Sequence, residues 1–134
     1  VALAWFHLLG ALISDSKGCL MDSTWLSQMR KGVLELCVLA IVDREETYGY
    51  AVVEQMGKTP GMEVTESTIY PLLARLSKDG LLKLRIEKST SGPPRRYYSL
   101  SSNGKKRLRE LSNTWATIVG SVSQLLASQT VLAT

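Results

Sequence analysis

Residues 67–100 read STIYPLLARLSKDGLLKLRIEKSTSGPPRRYYSL, and the apolar period changes partway through. In the first half Ile69, Leu72, Leu73 and Leu76 stand at i, i+3, i+4 and i+7, one face of an amphipathic helix. Thr65 supplies an N-cap, and Gly80 follows Lys78 and Asp79 where helices commonly end in a left-handed residue. Pro71 is an irregularity, because a proline past the first turn removes one backbone hydrogen bond. The second half alternates: Leu82, Leu84 and Ile86 interleave with Lys83, Arg85 and Glu87, the period of a half-buried strand. After STSGPP the chain returns as RRYYSL, with Arg96, Tyr98 and Leu100 on one face and Arg95, Tyr97 and Ser99 on the other. The expectation is a helix delivered straight into a basic hairpin, one arm of its tip stiffened by Pro93 and Pro94.

Upstream, a helix is predicted from near Ser23, and it is almost wholly apolar over 33–42, VLELCVLAIV, where Glu35 is the one interruption. A helix that is apolar nearly all round needs cover on both sides. DREET reads as a polar connection and YGYAVVEQMGK as a short second helix with Tyr50, Val53 and Met56 on one face. Gly49 would let a neighbour or a ligand approach closely, and TPG at 59–61 breaks the chain. Downstream, Ser101 can cap a long helix whose Leu108, Leu111, Trp115, Ile118, Val122 and Leu125 alternate in steps of three and four. That is a narrow seam rather than a broad face. Its flanks carry Ser and Thr instead of charge pairs, so it should pack on another helix, most economically the over-apolar first one.

The chain has 134 residues, 45% hydrophobic and 21% charged, the balance of one ordinary domain with a real core. Cys19 and Cys37 form no CxxC, so neither a disulfide framework nor a zinc cluster is suggested, and a reducing cytoplasm is the expected compartment. The net charge of +4 is unevenly spread. Between residues 64 and 107 ten lysines and arginines face only Glu66, Asp79 and Glu87, a local +7 that leaves −3 elsewhere. A basic block on a mildly acidic body suits a polyanionic partner, with a merely solvated surface as the plain alternative. The opening run VALAWFHLLGALI is shorter than the roughly 20 residues of a membrane span and lacks a positive leader, so no membrane partner is expected. Residues 1–20 read as an N-terminal extension before Met21 or, alternatively, as a small amphipathic helix over the seam. The sole histidine, His7, lies there, and no Cys-His pair, paired carboxylates or phosphate loop is present. Neither an enzyme nor a metal or cofactor site is expected.

Taken in order and spacing, KGVLELCVLAIV, TYGY, STIYPLLARLSKDGLL and SGPPRRYYSLSSNGKKRL resemble the PadR family of bacterial transcriptional regulators, over residues 31 to 125. The single helix after the hairpin is similar to that of the short subgroup. The resemblance implies a mainly α fold with a small β-hairpin: a winged helix-turn-helix over 21–100 and a C-terminal dimerisation helix over 101–134. It implies a homodimer on a palindromic operator in double-stranded DNA, with half-sites about 34–36 Å apart. Most such regulators repress, and a small molecule or partner signal releases them. On matching positions, Tyr48 and Tyr70 would contact phosphate or groove, and Ser67 and Thr68 would donate hydrogen bonds at the start of the recognition helix. Arg75, Lys78, Arg95 and Arg96 would supply charge, Arg75 being best placed to reach a base if it points outward. Leu108, Leu111, Trp115, Ile118, Val122 and Leu125 would form the dimer seam. Some family members stack flat aromatic ligands on a tryptophan there, so a small aromatic inducer at Trp115 stays open beside plain packing. The competing function is a winged-helix protein-interaction adaptor without sequence-specific DNA binding.

Overall fold

The computed structural model describes residues 23–132; the expected extension over 1–20 lies outside the described residues. The elements are α1 (Ser23–Arg44), β1 (Thr47–Tyr48), α2 (Gly49–Gly57), α3 (Glu66–Lys78), β2 (Leu82–Glu87), β3 (Arg95–Leu100) and α4 (Ser102–Leu132). The strands form one antiparallel sheet in the order β1-β3-β2. The class is the one expected from the sequence: mainly helical, a small sheet, and a long last helix of 31 residues.

The core joins the apolar faces of the first three helices to the inner face of the sheet. Leu34, Val38, Leu39 and Val42 come from α1, Val52 and Met56 from α2, and Ile69, Leu73 and Leu76 from α3. Leu82, Tyr98 and Leu100 close it from the hairpin. Burying an aliphatic side chain of this size stabilises by roughly 1.5–3 kcal/mol, so the α3 stripe read from its spacing fixes the roll of that helix. α4 covers a second side of α1, with Leu108 and Leu111 against the core.

Three expectations change. Tyr50 does not share the inner face of α2: Gly49, Val52 and Met56 are buried, whereas Tyr50 is exposed, one residue and so about 100° further round the helix from Gly49. The alternation in β2 is real, but only Leu82 is buried. Leu84 and Ile86 share its face opposite Tyr98 and Arg96, on a stretch of edge strand that runs past the helices below. Finally, β1 takes Thr47 from the expected connection and Tyr48 from the expected start of the second helix; it adds a third strand through Thr47 opposite Tyr98 and Tyr48 opposite Tyr97.

One knot ties α3, the hairpin and α4 together. α3 ends in a double-bonded C-terminal turn, with the Gly80 amide donating to the Ser77 carbonyl and the Leu81 amide to the Leu76 carbonyl, and Gly80 at φ +75°. The Leu81 carbonyl then accepts from the Ser101 amide at 3.1 Å and from the Ser101 hydroxyl at 3.0 Å. The same hydroxyl lies 2.6 Å from the Gly80 carbonyl and accepts from the Gly104 amide at 3.0 Å, so Ser101 is the N-cap expected of it. Gly104 sits so close that a Cβ there would lie 2.1 Å from the Leu81 carbonyl oxygen.

Gly104→Ala decides whether this seat is tight. Helix propensity alone favours Ala over Gly by about 1 kcal/mol. Because the clash is with backbone, we expect net destabilisation of about 1–3 kcal/mol in chemical denaturation. A more stable variant would show that the seat is loose.

Candidate nucleic-acid interface

α2, the turn through Pro60 and Gly61, and α3 form a helix-turn-helix. Gly61 takes φ +78°, and its carbonyl accepts the Arg30 Nε–H of α1 at 3.0 Å, which anchors the turn. At the start of α3 the Thr65 carbonyl accepts the Thr68 and Ile69 amides. Its hydroxyl makes no cap to backbone; it meets Ser67 Oγ at 2.8 Å and Thr68 Oγ1 at 3.4 Å. α3 runs through Pro71, which removes the amide that would bond to the Ser67 carbonyl on the exposed side of the helix.

With Ile69, Leu73 and Leu76 inward, Ser67, Pro71, Ala74 and Lys78 share the outermost face of α3. Tyr70 lies on the flank toward α2, where Gly49 makes room for its ring: a Cβ on Gly49 would lie 2.2 Å from Tyr70 Cε1. Partial burial, and after it the neighbouring Glu66 carboxylate, raise the Tyr70 phenol above its ordinary value, so it presents a hydroxyl. Thr68 and Arg75 lie on the opposite flank, toward α1. Thr68 lines a hollow with Lys31 and Leu34, and Arg75 Nη2 bonds Glu35 Oε2 at 3.3 Å.

Between α3 and the hairpin lies an open cleft of about 630 Å³. Tyr50, Tyr70 and Ala74 line the helix side, and Tyr48, Arg95 and Arg96 the sheet side. The edge of β3 at Arg95 and Arg96 is open because β1 stops opposite Tyr97, where the chain turns into α2. The outer face of the sheet carries a row of rings and cations. The Arg85 guanidinium lies 4.7 Å from the Tyr97 ring centroid, Tyr97 meets Tyr48 edge-on at 5.8 Å, and Arg95 lies 5.4 Å from the Tyr48 centroid. Such contacts orient a guanidinium without neutralising it. Arg85 is further held by Glu46 and Glu87.

Tyr48, Tyr70, Arg95 and Arg96 are thus brought to one cleft, with Ser67 and Lys78 on the adjoining open face of α3. Thr68 and Arg75 are placed on the α1 side. Tyr50 and the Arg85–Tyr97 pair escaped the sequence reading, although YGY was the available signal for Tyr50. Of the six seam residues, Leu108 and Leu111 are half-buried in their own protomer, whereas Trp115, Ile118, Val122 and Leu125 are 41%, 52%, 49% and 70% exposed. Among the described residues no His, Cys, Asp or Glu cluster could hold a metal, and no helix is long and apolar enough to cross a membrane.

A helix-turn-helix followed by a basic hairpin defines a winged-helix protein. The description "Transcriptional regulator PadR-like family" matches residues 38–110, and the chain belongs to that family of DNA-binding regulators, which are not enzymes. It is 39% identical to a PadR-like regulator from Bacillus cereus, over 74% of this chain and 96% of that one, with a TM-score of 0.66. A PadR-family regulator from Eggerthella lenta is 29% identical, with coverage of 92% and 96% and a TM-score of 0.68. Bacillus subtilis PadR, solved in complex with operator DNA, is 25% identical over 59% of this chain and 45% of that one, with a TM-score of 0.55.

The Arg85 hydrogen bond holds the Glu46 carboxyl below its ordinary 4.5. In Arg85→Gln the NMR titration midpoint of Glu46 should move back up; an unmoved midpoint would mean the pair is not kept in solution.

Proposed function

We propose that this chain is a sequence-specific repressor that binds a palindromic operator as a homodimer and is released by a small molecule or partner signal. The observation that carries this is the shared cleft: Tyr70 of α3 and Arg95 and Arg96 of the hairpin open onto one groove beside the exposed face of α3. α3 enters the major groove, with Ser67, Thr68 and Tyr70 near its N-terminal end and Lys78 following the backbone. Tyr48, Arg95 and Arg96 meet phosphates from the wing, where charge-assisted contacts set register rather than sequence. Arg75 joins the set when its bond to Glu35 opens.

The dimer reading is supported by the run of exposed apolar side chains along α4. Among the described residues Trp115, Ile118, Val122 and Leu125 form a contiguous exposed apolar strip. A second protomer covers it, and the half-exposed Trp115 ring is where a flat aromatic inducer would stack. The fold of Bacillus subtilis PadR, whose structure holds operator DNA, supports the DNA reading.

Arg95→Glu with Arg96→Glu should abolish specific DNA binding in fluorescence anisotropy while the dimer persists in sedimentation. Unchanged affinity would favour the protein-interaction adaptor. Trp115→Ala should weaken dimer association, read from the dissociation constant in sedimentation equilibrium. Because more than half of the residue is already covered in its own protomer, the loss should be less than the about 3–5 kcal/mol that removal of a fully buried ring costs. An unchanged constant would place Trp115 outside the interface.

A further inference from the structure

Glu35 is the one charge in the apolar stretch of α1, and it holds two arginines from two other helices. Its Oε2 bonds Arg75 Nη2 of α3 at 3.3 Å, and its Oε1 bonds Arg107 Nε of α4 at 3.0 Å. The Glu35 side chain is 21% exposed, against 56% and 44% for the two arginines, so the carboxylate is the fixed point and the guanidiniums come to it. Among the described residues the other cation of α3, Lys78, has no such anchor, nor do Arg95 and Arg96 of the wing. Of the two cations of α3, Arg75 is the one drawn toward α1 by a carboxylate of its own chain.

We propose that Glu35 is a positioning residue that withholds Arg75 from phosphate and thereby lowers sequence-independent binding to DNA. This rests on the DNA-binding reading above. A phosphate offers Arg75 the same kind of oxygen acceptors as Glu35, and exposed ion pairs of this kind are weak and screened by salt. The side chain can change partner by rotating about its own bonds, with no movement of α3. Because Arg107 takes the second oxygen of Glu35, the carboxylate is held where Arg75 finds it only while α4 lies along α1. The lock is closed in the arrangement seen here.

Salt dependence reads the lock directly, since each phosphate neutralised adds ~0.9 to the slope of log K against log salt on duplex DNA. The experiment compares the full chain with R75Q, E35Q, E35Q/R75Q and E35Q/R107Q on a duplex of random sequence. The expected result is the same slope for wild type and R75Q, and a slope steeper by ~0.9 with tighter binding for E35Q. That gain should vanish in E35Q/R75Q and survive in E35Q/R107Q. An E35Q slope equal to wild type overturns the lock. A gain that persists in E35Q/R75Q overturns it too, because loss of a negative charge would then act without Arg75. If R75Q alone already flattens the slope, Arg75 touches phosphate in the wild-type complex and Glu35 withholds nothing. A wild type with no salt-dependent binding at all fails the DNA reading and the lock together, whereas wild-type binding with an unmoved E35Q fails the lock alone.

Discussion

The Leu81 carbonyl is the constraint on which the arrangement of this protein depends. It follows Gly80, the left-handed residue that ends α3, and it accepts both the amide and the hydroxyl of Ser101. That pair of bonds brings the end of β3 back to the start of β2 and launches α4 from the same point. Gly104 lets the first turn of α4 settle onto that carbonyl without a Cβ between them. The direction of α4, and with it the direction in which the Trp115 strip faces, is therefore fixed relative to α3 by backbone contacts. Side-chain packing alone would tolerate more drift.

The same economy shapes the cleft. Gly49 begins α2 where the ring of Tyr70 needs space, so the two helices of the helix-turn-helix approach closely enough for an aromatic to bridge them at the surface. On the other wall, Tyr48 ends the short β1 and stands beneath Arg95. A residue that completes the sheet thus also orients a cation of the wing. The tyrosine-rich YGY segment closes the sheet with Tyr48 and lines the cleft with Tyr48 and Tyr50.

Much of this was legible in the sequence, and for physical reasons. Ile69, Leu73 and Leu76, with the half-buried Leu72 beside them, share one side only on a helix, Gly80 takes a left-handed turn at no steric cost, and Ser101 is a cap by chemistry. What was not legible depended on distance along the chain or on lengths too short for a period. A two-residue strand has no alternation to read, so β1 was missed. Alternation in β2 states which side each residue takes but not how far the core extends beneath it, which is why Leu84 and Ile86 are exposed. Glu35 meets partners 40 and 72 positions away, and no local pattern announces either. Charge counting therefore gathered Arg75 with the other cations of the basic block, whereas its guanidinium faces α1.

The measurement that tests the central claim most directly is enrichment of duplexes from the genomic DNA flanking this protein's own gene, with binding of the recovered fragment then followed over a salt series against a scrambled duplex. The account predicts a recovered fragment with two-fold symmetric half-sites, preferred over the scramble, and affinity that falls steeply with salt as lysines and arginines displace counterions. A protein that recovers no fragment above background and shows no salt-dependent affinity for any duplex would contradict it.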